Sequence, residues 1–206
     1  MCFRLPYVSK SDPNSVKISI SIKYGWHLFR NKIFPFFMTS NTLPTKIILF
    51  SALFTYSWIV SQSYMYVIAL ENVQMAMDAP SYIELRQLLD TSFKANFKFA
   101  MIGALVSNLL LVIFTARNYR SPFFIAAALS FLALIVDTLL TLKGNVPLNE
   151  LINTWTATSY PADWSETRTK WLRIFHYRQM ANGSGFVILL AGTIFGLRDT
   201  SYTRNQ

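Results

Sequence analysis

Four stretches of the chain are apolar over membrane length, at about 47–70, 97–116, 123–142 and 179–197, and polar residues gather between them. At about 1.5 Å of rise per residue, about twenty residues cross a hydrocarbon core of about 30 Å. The first run, IILFSALFTYSWIVSQSYMYVIAL, has only hydroxyls and one amide, Gln62, among its side-chain polar groups. The second and third runs are separated by RNYRSP, a turn too short for a domain, so they form a helical hairpin. The fourth holds Gly183, Gly185 and Gly192, read as positions where helices pack closely. The pattern predicts an all-α membrane protein: four transmembrane helices in an antiparallel bundle, with an extracytoplasmic cap of loop and short helix.

The polar segments predict the cap. Residues 71–94 are polar enough to leave the bilayer, and Pro80-Ser81 followed by Ile83, Leu85, Leu88 and Leu89 suggests a short amphipathic helix on the surface. After the third run, Pro147 in VPLNELINTW is expected to end or redirect the helix, with Asn149 and Asn153 satisfying the backbone groups freed there. Asp163 can then cap a helix whose first turn holds Glu166 and which runs unbroken into the fourth span. At about 100° per residue, Trp164, Arg168, Trp171, Phe175, Arg178 and Asn182 share one stripe of that helix.

Composition supports the membrane reading. Of 206 residues, 52% are hydrophobic and 14% charged, whereas soluble domains carry about a quarter charged residues. The net charge of +9 would suggest nucleic acid in a soluble protein. Here Lys10, Lys17, Lys23, Arg30, Lys32, Lys46, Arg117, Arg120, Arg198 and Arg204 lie outside the apolar runs. That placement fits the bias of positive charge toward cytoplasmic segments, so the expected partner is a lipid bilayer and no nucleic acid. Both termini are expected in the cytoplasm, in a plasma or inner membrane. Residues 1–37 are basic and lack the pattern of a secretory signal. With Met38 a natural start, they are expected to be an upstream extension or a basic tail on the membrane, and 38–206 a single four-span domain. One cysteine, Cys2, and two histidines, His27 and His176, leave no material for a disulfide and little for a metal centre. Nucleotide loops, HExxH and GxSxG are absent.

The candidate chemistry lies in and around the striped helix. Its tryptophans and arginines fit an interfacial belt, with rings at headgroup depth and guanidiniums reaching lipid phosphates. They fit equally a pocket at the membrane surface whose aromatic walls hold a flat apolar molecule while an arginine stabilises a developing oxyanion. His176 could serve as a base near neutral pH or be structural. A regular helix sets it roughly 160° away from Arg178. Asp137 is the one acidic residue well inside a predicted span. Either it faces the bundle interior and finds a partner, or it lies near the outer membrane surface and bonds a neighbour or water.

The segments VPLNELINTW and PADW, followed by Arg168, Trp171, His176 and Arg178, resemble the signature of a small four-helix membrane family that includes the fungal anthrone oxygenases. The similarity covers about residues 45–198, and Asn149, Trp155, Trp164, Arg168, Trp171, His176 and Arg178 match the motif by position. Asp137 has no counterpart in it. The resemblance implies a helical membrane protein, with some members oxidising anthrones to anthraquinones by dioxygen and no evident cofactor. The expectation that follows is a flat phenolic or anthrone-like substrate taken from the bilayer. His176 would be the base, Arg178 or Arg168 the oxyanion partner, and Trp155, Trp164 and Trp171 an aromatic slot, with Asn149 and Asp137 also at the substrate. A rival expectation is a non-enzymatic accessory or scaffold subunit, or a homo-oligomer, with the small residues of the last span against another chain. A transporter is disfavoured by the lack of an internal repeat.

Overall fold

The computed structural model describes residues 43–196. The chain forms four long helices: α1 (Leu43–Ala76), α2 (Ala79–Asn118), α3 (Pro122–Asn153) and α4 (Trp164–Gly196). Successive helices run antiparallel. Along α3 and α4, for instance, Ala126 faces Gly192, Asp137 meets Arg178, and Asn145 meets Trp171, so one number rises as the other falls. α1 packs on α2, α2 on α3, α3 on α4 and α4 back on α1, closing a four-membered bundle. Only 22% to 33% of the most apolar stretch of each helix is buried within the chain. The outward faces instead carry Phe50, Trp58, Phe99, Ile102, Leu132 and Ile194, all exposed. Such a surface suits lipid, where apolar side chains need no protein cover. The protein is thus an integral membrane protein with four apolar spans.

All four helices extend beyond the apolar runs, because loss of hydropathy ends a span but does not end a helix. α1 continues to Ala76. Two extended residues, Met77 and Asp78, then reverse the chain, and the Asp78 carboxylate accepts from the Ser81 amide (3.3 Å) with Pro80 in the first turn. The expected short surface helix at 80–89 is therefore the opening of a 37-residue α-helix, Ala79–Thr115. No Gly or Pro interrupts it until Gly103, and its inward residues Tyr82, Ile83, Arg86 and Asp90 are buried against the cap. Ser121 caps α3 in the same way, accepting from the Phe124 amide (3.1 Å) ahead of Pro122.

Pro147 neither ends nor redirects α3. A π-helical turn, Thr141–Asn145, precedes it, and there the Val146 amide bonds the Thr141 carbonyl five residues back. Pro147 then falls in the first turn of the renewed α-helix Val146–Asn153, where a missing amide proton costs little. A second π turn, Tyr66–Leu70, lies at the same level of α1. Residues 154–163 join α3 to α4 and carry one antiparallel bridge, Thr156 with Ser159.

The interior divides along the bundle. Away from the cap, Ala52, Tyr56, Ala104, Leu111, Ala127 and Leu189 form an apolar core. There α3 and α4 touch through small residues: a Cβ on Gly192 would strike Ala126, and one on Gly185 would strike Ala133 and Tyr56. Gly183, expected to share this packing role, has open space beside it. Toward the cap the interior becomes polar.

Candidate functional site

From Asp137 onward every fourth residue of α3 is polar: Asp137, Thr141, Asn145, Asn149 and Asn153. In a regular α-helix such a row drifts by about 40° per step. The wider π turn at Thr141–Asn145 turns the row back, so Asp137 and Asn145 both meet α4, while Asn149 and Asn153 reach α2. Asn149 and Asn153 thus bond side chains rather than the freed backbone groups expected at a helix break.

Two buried networks result. In the first, Arg178 Nε donates to Asp137 Oδ1 (2.8 Å), Asn182 Nδ2 to Asp137 Oδ2 (3.3 Å), and Arg178 Nη1 to Asn145 Oδ1 (3.2 Å). Ser63 Oγ donates to Asn182 Oδ1 (3.1 Å), which ties α1 into the same set. Asp137 is wholly buried and so takes the interior option of the two open to it, with Arg178 as its counter-ion. In the second network, Arg86 donates to Tyr66 Oη (2.9 Å) and Asn149 Oδ1 (2.7 Å), and its guanidinium lies over the Trp171 ring, 3.8 Å from the centroid. Trp171 Nε1 also donates to Asn149 Oδ1 (2.8 Å), which fixes that amide so that its nitrogen faces Asp90 Oδ1 (2.9 Å). Asn153 and Lys94 hold the other Asp90 oxygen, each at 2.7 Å.

Both networks border one cavity of about 350 Å³. Arg86, Asp90, Lys94, Asn145, Asn149 and Arg178 supply polar groups to it. Phe93, Phe97, Met101, Leu105 and Val146 are among its apolar walls, and the Trp171 ring joins the two regions. Ile102 and Leu142 also line it and are 57% and 59% exposed on the outside of the bundle. The cavity therefore reaches the outer surface between α2 and α3, where Lys94 and Lys98 are exposed beside Ile102 and Leu142. Both π turns contribute to it, through Tyr66 and through Thr141, Leu142 and Asn145.

The residues singled out in the sequence fall into three places. Asn149, Trp171 and Arg178 line the cavity, and Asp137 reaches it through Arg178. Arg168, Trp164 and Trp155 lie in the cap instead. Arg168 donates to the carbonyls of Gln74 (3.0 Å) and Met77 (3.1 Å), closing the end of α1, and stacks over Trp164 at 4.6 Å. Trp155 packs with Tyr82, Ile83 and Ile152. His176 lies outside the cavity lining, 2.8 Å from Glu71 on the α1–α4 surface, with 47% of its side chain exposed. Tyr66, Arg86, Asp90, Lys94 and Asn145 were missed. The rows Tyr82, Arg86, Asp90, Lys94 and Asn145, Asn149, Asn153, four residues apart, are the signal that could have found all of these but Tyr66.

No family model, curated protein or solved structure matches the chain. Fold and site together define its class: an integral membrane four-helix bundle with a polar-ended cavity between its helices.

Proposed function

We propose that this protein oxidises a flat phenolic or anthrone-like molecule that enters the cavity from the bilayer. One observation carries the reading: two buried guanidiniums, Arg86 and Arg178, and the Trp171 ring meet at the polar end of a cavity whose other walls are mainly apolar. An aromatic body fits against the apolar walls and Trp171, while its oxygen lies toward the guanidiniums. The chemistry needs only dioxygen, an apolar gas that dissolves in the membrane interior. A base takes a proton from the ring carbon, the carbanion passes one electron to dioxygen, the two radicals join as a peroxide anion, and the protonated base returns the proton to give the hydroperoxide. Loss of water leaves the quinone, so anthrone and dioxygen give anthraquinone and water.

The resemblance in the sequence assigns the base to His176. In the bundle, Asp90 is the carboxylate at the cavity wall, and Lys94 beside it, with a half-exposed side chain, can pass a proton outward. The reading therefore takes Asp90 as base, Arg178 as oxyanion partner and Asp137 as the residue that positions Arg178. The end bearing Lys46, Arg117 and Arg120 faces the cytoplasm. The accessory-subunit reading has less support, since of the three glycines it would turn toward another chain Gly185 and Gly192 are occupied by α3 and only Gly183 has open space.

The test is dioxygen uptake with 9-anthrone by the full chain in nanodiscs, over an empty-nanodisc control. Uptake should fall about 100-fold or more in Arg178→Gln, fall in Asp90→Asn and persist in His176→Ala. No uptake above control defeats the oxidation reading. Loss in His176→Ala alone returns the base to His176.

A further inference from the structure

The two arginines at the cavity differ in what neutralises them. Arg178 is paired with Asp137 at 2.8 Å. Arg86 is 3% exposed and, among the described residues, has no carboxylate within ion-pair distance. Its partners are a phenol oxygen, an amide oxygen and the face of an indole, all uncharged, and its buried Nε has no partner. The carboxylate nearest along the network, Asp90, is reached only through Asn149 and is itself engaged by Lys94. A buried cation without a paired carboxylate is costly. Lys94 and Lys98, both exposed, add positive charge to the lining, so with Arg178 neutralised by Asp137 the one carboxylate there, Asp90, faces Arg86, Lys94 and Lys98.

We infer that the cavity is a site for an anionic ligand: an apolar, ring-sized body with a single ionised oxygen acid, carboxylate or phenolate, whose charge Arg86 neutralises. The proposal takes the cavity as the ligand site, as the function proposed above does, but it concerns binding and needs no turnover. It also gives a physical role to the sideways opening. The body slides in from the lipid between Ile102 and Leu142, while the charged head moves toward Arg86 at the cap end.

Two probes with the same three-ring body separate charge from shape: anthracene-9-carboxylate and the neutral 9-anthracenemethanol. Each is titrated by its fluorescence against the full chain in nanodiscs at neutral pH, with partitioning into empty nanodiscs subtracted. A charge-assisted hydrogen bond contributes about 1.5–3 kcal/mol, so the carboxylate should bind at least about tenfold more tightly than the alcohol. Arg86→Gln should remove that preference and Arg86→Lys keep part of it. Equal affinities in the unaltered protein overturn the inference, whatever becomes of the variants. So does a preference that survives Arg86→Gln. Preferential binding without dioxygen uptake from 9-anthrone would keep the anion site and sink the oxidation reading, whereas uptake without preference would do the reverse.

Discussion

The half of the bundle away from the cap and the half beneath it are held together by different physics. In the first, Gly185 and Gly192 of α4 rest directly on α3, and the neighbouring interior is mainly alkyl and aromatic, with buried Asn108 and Thr115 bonded back to their own helix. Close backbone approach and dispersion suffice there, since lipid already satisfies the outward faces. In the second, Arg86, Asp90, Asp137, Asn145, Arg178 and Asn182 are all buried, and a cavity remains between them and the apolar walls. Buried polar groups are expensive, and most of these satisfy one another. The lesson is where the expense is concentrated: this half keeps an open space and an arginine, Arg86, that has no carboxylate within ion-pair distance among the described residues.

That contrast can be attacked at several points. The largest effect belongs to the boundary between the halves. Asp137→Leu should cost about 3–5 kcal/mol by leaving Arg178 buried and unpaired, and the double variant Asp137→Leu, Arg178→Leu should recover much of the loss. Thermal unfolding in mild detergent measures both, and a harmless Asp137→Leu would remove the ion pair from the account. Next in size is the close-packed half. Gly192→Leu should destabilise by about 1–3 kcal/mol through overpacking against Ala126, whereas Gly183→Leu, with open space beside it, should stay within about 0.5 kcal/mol. The same melt on both variants compares them, and equal losses would mean that α3 and α4 do not meet as described. The smallest effect is at the periphery, where His176→Ala removes a half-exposed pair with Glu71 and should change stability by less than about 1 kcal/mol.

Much of this contrast was legible in the chain, and the rest failed for identifiable reasons. The four spans follow from apolar runs too long for a soluble fold. The inward stripe of α4 follows from a helix without irregularities: Arg168, Trp171, Phe175, Arg178 and Asn182 are buried, together with Leu172, while Trp164 at its start is only half-buried. The helix ends were hidden because hydropathy reports where lipid stops, while Asp78 with Pro80 and Ser121 with Pro122 report where helices start. Arg86 and Asp90 were hidden because a polar helix opening reads as a solvated surface until a second helix is known to cover it. Pro147 was misread because its tolerance depends on the π turn before it, which no local propensity announces. The cavity is a product of all of these, being bounded by α1, α2, α3 and α4 together.

The central claim is that this cavity is the place where a small molecule binds, and native mass spectrometry of the full chain released from mild detergent tests it directly. With anthracene-9-carboxylate, the unaltered protein should carry one ligand per chain, and Val146→Trp, which fills the cavity from its apolar wall, should carry none while melting at a similar temperature. Equal ligand loading in the two proteins, or none in either, would contradict the account.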